Sequence, residues 1–126
     1  DPPTADATAL FTVLTIDEIV VSRRSEGATL VRFTLSGDLE QRHLRHRRDP
    51  GDPARHMLVV LGLDVTDGPR SLPSNDPILV GVTLEPISGF EAPVTEIRLD
   101  LASSAVEIGQ LAVSGPHLVI ELLAPP

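Results

Sequence analysis

Five arginines fall close together in one stretch of the chain: Arg42, Arg45, Arg47, Arg48 and Arg55. A guanidinium is a planar donor that suits carboxylates and phosphates, and bidentate pairing adds geometric selectivity to charge. Only Asp49 and Asp52 oppose them, so residues 41–56 carry +3, which leaves −11 to the rest of a chain of net charge −8. This segment is the candidate contact for an anionic ligand, and the competing reading is a solvated loop. The acidic body repels nucleic acid and anionic membranes, so neither is an expected partner.

His43, His46 and His56 share the segment with Asp49 and Asp52, which raises the question of a metal. In a strand, His43 and His46 would face opposite sides, and the arginines around them would repel a cation. No metal site and no cofactor are expected. His117 stands apart and reads as a strand-edge residue. The serines lie mostly in turns, none in a G-x-S-x-G elbow. Asp17 and Glu18 are adjacent, so in a strand they diverge and cannot act as a carboxylate pair. Cys is absent, which removes thiol nucleophiles and disulfides, and no glycine-rich phosphate loop is present. Catalysis is not expected. Trp and Tyr are also missing, leaving Phe11, Phe33 and Phe90 as the aromatics, too few for a base-stacking platform.

The elements that must carry these residues are short and alternating. Strands are expected near residues 10–14, 16–21, 29–35, 39–44, 57–63, 79–84, 94–101, 106–113 and 117–123. Val31, Phe33 and Leu35 alternate with Arg32 and Thr34, and Ile97, Leu99 and Leu101 alternate with Glu96, Arg98 and Asp100. Such period-two patterns favour antiparallel sheets with one face in water. Turn chemistry separates the runs at Ser36-Gly37-Asp38, Asp49-Pro50-Gly51, Asp67-Gly68-Pro69, Ser88-Gly89 and Ser114-Gly115-Pro116. A helix is expected only as a single turn around residues 68–75. Residues 1–9 read as a leader or linker, and 10–126 as one all-β domain. A chain beginning at Asp1 is expected to be processed or cut from something longer. No apolar run approaches the roughly 18 residues that a membrane-spanning helix needs.

The two halves resemble each other. Leu30–Leu35 (LVRFTL) matches Glu96–Leu101 (EIRLDL) at an offset of 66, and Leu58-Val59-Val60 matches Leu118-Val119-Ile120 at an offset of 60. Half-repeats at about 16–63 and 79–123, joined by a linker over 64–77, predict a β-sandwich of two similar antiparallel sheets formed from an internal duplication. The six residues by which the offsets differ fall in the Arg-rich segment.

The chain also carries an ordered set of motifs: Ile16, Ile19 and Val21, then TLVRFTLSG, LEQRHL, LVVLGLDV, RLDL and HLVIELLAPP. In this order the sequence resembles an AMIN domain, the β-sandwich targeting module of bacterial N-acetylmuramoyl-L-alanine amidases and type IV pilus secretins. The resemblance covers about residues 16–124. It implies a non-catalytic, periplasmic module that binds peptidoglycan and localises a larger protein to the cell wall, septum or pole. The alternative is a protein–protein module, holding an envelope secretin complex together or self-associating through exposed sheet edges.

Overall fold

The computed structural model describes residues 13–65 and 70–125, and it is all-β. Nine strands follow in chain order: β1 (Ile16–Ser25), β2 (Ala28–Leu35), β3 (Leu44–Asp49), β4 (Asp52–Leu61), β5 (Arg70–Pro73), β6 (Leu79–Pro86), β7 (Val94–Leu101), β8 (Glu107–Ser114) and β9 (His117–Leu123). They form two antiparallel sheets, one ordered β1-β2-β9-β8 and the other β3-β4-β7-β6-β5. Alternation drives the assembly. Val31, Phe33, Leu35, Leu118, Ile120 and Leu122 face inward from the first sheet; Leu58, Val60, Val82, Leu84, Ile97 and Leu99 face them from the second. Packed face to face, the two apolar faces make one core, the arrangement of a β-sandwich.

Apart from β5, the strand order is unchanged when the two halves are exchanged. Replacing β1, β2, β8 and β9 by β6, β7, β3 and β4 converts the order of the first sheet into β6-β7-β4-β3, the second sheet without its additional edge strand β5. Each sheet therefore joins a hairpin from one half to a hairpin from the other. The registers agree to within two residues. Val31 pairs with Ile120 between β2 and β9, while Ile97, its counterpart in β7, pairs with Leu58 rather than Val60. A slip of two keeps every side chain on its own face.

The structure corrects the sequence reading at four places. Residues 39–44 are not a strand: Gln41–His43 form a 3-10 turn. Leu39 and Leu44 are both buried, yet five positions apart they would face opposite sides of a straight strand, so the chain must turn between them. The strand begins at Leu44 and consists of the arginine run itself. Third, the stretch read as a linker and a helical turn contains β5, whose Leu72 pairs with Val82 on β6. Fourth, β1 runs on through Ser22–Ser25 to a two-residue turn at Glu26-Gly27. Of the strand expected at 10–14, residues 10–12 lie outside the described residues, as do the leader at 1–9 and the turn residues Asp67, Gly68 and Pro69. Leu14 makes an isolated parallel bridge to Leu63.

Candidate functional site

The arginine segment is built on the β3–β4 hairpin. Pro50 and Gly51 form its tip, where the Gly51 amide donates to Asp49 Oδ1 at 2.8 Å. The Ala54 amide donates to Asp52 Oδ1 at 3.1 Å. Both carboxylates are thus occupied in shaping the turn, as short acidic side chains commonly are. The hairpin is irregular just behind the tip: Asp49 pairs with Asp52, but Arg48 pairs with His56. Residues Pro53, Ala54 and Arg55 are bulged away from β3, and Arg55 pairs instead with Asp100 on β7.

The bulge divides the five arginines. Arg42 lies in the 3-10 turn, its Nε 3.0 Å from Glu40 Oε1. Arg55 is held by Asp100, with Nε donating to Oδ1 at 2.8 Å, and has Asp49 Oδ2 at 3.6 Å. These carboxylates hold the Arg55 guanidinium more firmly charged, the Asp100 hydrogen bond having the largest effect. Arg55 belongs to an ion-pair network on the outer face of the sheet, where Arg98 bonds Glu96 and Glu85. Arg45, Arg47 and Arg48 are exposed on β3, and among the described residues no ion pair engages them. Arg45 and Arg47 share the outer face. Arg48 lies on the opposite face, with His46 and Leu44, by the alternation of the strand.

One contact was not visible in the sequence. His46 Nε2 and His56 Nδ1 are 2.8 Å apart, with the ring centroids 5.1 Å apart and the planes within 9° of each other. A nitrogen contact that short between nearly parallel rings means an edge-to-edge hydrogen bond, since stacked faces cannot approach so closely. His56 is buried, and among the described residues its Nε2 has no hydrogen-bond partner. The arrangement that leaves no buried N–H orphaned has His56 Nδ1–H donating to His46 Nε2, with a bare lone pair at His56 Nε2. Burial pushes the basicity of both imidazoles down, and Arg48 pushes it down further; His46 does the same to His56, against an opposing pull from Glu107. The pair exists because of the bulge. In a regular hairpin closed at Asp49 and Asp52, His46 would lie opposite Arg55, and His56 would face the other way. The three-residue shift is odd, so it flips β4 and brings both histidines to one side.

His43 sits in the 3-10 turn, with Nδ1 3.9 Å from Glu40 Oε2. Among the described residues, no group of three or more histidines and acids is placed to hold a metal ion. His117 Nδ1 lies 3.3 Å from Thr34 Oγ1. Ser36, Ser74 and Ser103 accept backbone N–H bonds from Thr15, Asp76 and Ala105, the usual work of turn serines. Among the described residues, no helix is long and apolar enough to cross a membrane. Compared with protein-family models, curated proteins and solved structures, the chain gives no significant match.

In chemical terms, β3 presents three exposed guanidiniums that no carboxylate among the described residues engages, on a backbone paired in continuous register with β4 from Leu44 to Arg48. It can accept carboxylates or other oxyanions from solvent.

Proposed function

We propose that this chain is a non-catalytic targeting module that attaches a periplasmic protein to peptidoglycan. In this reading, Arg45, Arg47 and Arg48 of β3 receive the carboxylates of the wall peptides. The observation that carries it is the division of charge in the hairpin. Its two acids are engaged by the turn, and Asp49 additionally by Arg55, while three arginines are left facing solvent. The motif order that resembles AMIN domains supports the same role, as does a two-sheet scaffold whose halves, β5 apart, share one strand order. Arg42 and Arg55 contribute to the local potential, but each already has a carboxylate partner.

The test is co-sedimentation with purified sacculi. The wild-type chain is expected to pellet with the wall at moderate salt, and replacing Arg45, Arg47 and Arg48 together by Ser is expected to cut the bound fraction at least fivefold. Failure of the wild type to pellet overturns the wall reading. An unchanged bound fraction in the triple variant removes β3 as the contact.

The second reading, an assembly module of an envelope complex, is favoured by one observation. Among the described residues both sheets end in unpaired edges, at β1, β8, β3 and β5, and an open edge is a template for a partner strand.

A further inference from the structure

The four sheet edges are not equivalent. β5 has four residues and ends on Pro73, which cannot donate to a ladder. β8 is broken by a register shift between Ile108 and Gln110. β1 shifts register near both ends and mixes Glu18 with Arg23 and Arg24. β3 pairs in unbroken register from Leu44 to Arg48, shifting only at Asp49, and over that run it carries three charges of a single sign, Arg45, Arg47 and Arg48. Among the described residues it hydrogen-bonds to β4 on one side and to no strand on the other.

We propose that β3 takes up an extended acidic segment of another protein as a sixth strand of this sheet, running antiparallel to β3, with carboxylates in the pattern acid-acid-x-acid. The pattern follows from alternation. Residues directly opposite one another in adjacent strands share a face, and side chains two apart point the same way. Carboxylates opposite Arg45 and Arg47 therefore stand two residues apart on the outer face. The residue opposite Arg48 falls on the other face. That opposite His46 falls between and needs no charge. Read along an antiparallel partner, the order is Arg48, Arg47, His46, Arg45, which gives acid-acid-x-acid. Single-sign charge on an edge also rejects a second copy of β3, so the same residues that admit an acidic strand exclude self-pairing. The rest of the chain has a net charge of −11 and on balance repels such a segment, which favours this edge. This inference goes beyond wall binding because it uses the open backbone of β3 and not its guanidiniums alone.

The experiment uses a fluorescent ten-residue peptide carrying Glu-Glu-Thr-Glu flanked by Val and Thr, with binding read by anisotropy. Three controls share its charge: a permutation of the glutamates, and two versions N-methylated on one or the other alternate set of amides. The intact peptide is expected to bind at least tenfold more tightly than the permutation. One N-methylated version should lose binding and the other keep it, because only alternate amides face the edge. R45S/R47S, both exposed and so tolerated by the fold, should weaken the intact peptide at least tenfold. Equal affinity for all four peptides would overturn the proposal, as would equal loss with both N-methylated versions. Sacculi sedimentation is read separately. Pelleting with the wall alongside equal peptide affinities leaves the wall reading standing and this one refuted; the reverse pair of results does the opposite.

Discussion

Asp76 shows how one side chain can tie the two sheets together. Its Oδ2 accepts from the Thr29 hydroxyl at 2.8 Å and from the amides of Ile78 and Leu79 at 2.8 and 3.1 Å. Arg23 Nη1 lies 3.9 Å from its other oxygen. Burial alone would raise this carboxyl, but the bonds from Ile78, Thr29 and Leu79, with the Arg23 charge, outweigh burial and hold it below its ordinary value. Thr29 is fully buried on β2, and Asp76 precedes β6 of the other sheet, so the contact bridges the sandwich. Replacing Asp76 by Ala orphans three donors and is expected to cost about 1–3 kcal/mol at neutral pH. A depressed carboxyl pKa stabilises the fold above the unfolded value of about 4 and loses that contribution as pH falls through the folded value. The difference between wild type and Asp76→Ala, measured by urea unfolding, should therefore shrink below about pH 4. A constant difference down to acid pH would contradict this role.

At the scale of elements, the β3–β4 hairpin explains what the sequence could and could not disclose. Strands such as β2, β7 and β9 were legible because each lays alternate apolar residues on the core. β3 and β5 were not, because an edge strand can be held by backbone hydrogen bonds with few core-facing side chains, and Arg45–Arg48 and Arg70–Pro73 carry no repeating apolar face. The candidate site was legible as a cluster of charge. The diversion of Arg55 to Asp100 was not, because that partner is distant in sequence and arrives only through β4–β7 pairing. The histidine pair was hidden for a different reason, since an odd bulge reverses which residues share a face. Its consequence is measurable. Both imidazoles take up protons less readily in the fold than in the unfolded chain, where they do so below about pH 6.5. The unfolded state then binds more protons, so stability falls as pH drops from about 7 to 5. Thermal unfolding should show a steeper loss of Tm over that range for wild type than for His46→Gln/His56→Gln. Equal slopes would mean that the pair does not resist protonation.

At the scale of the whole molecule, charge and symmetry act together. Exchange of the halves would make β3 and β8 equivalent edges, yet β8 carries one charge, Glu107, and β3 carries three arginines. The two halves share a scaffold and differ where they face solvent, in the segment that holds the six-residue difference in offset. A body of charge −11 with one basic edge repels an acidic ligand except along that edge, and the contrast weakens as salt screens it. In the proposed function, guanidiniums on this edge receive wall carboxylates. The most direct measurement is co-sedimentation of the wild-type chain with sacculi whose peptide carboxylates have been chemically amidated, beside untreated sacculi. Strong pelleting is expected with untreated wall, and loss of most of it with amidated wall. Equal pelleting with both would contradict it.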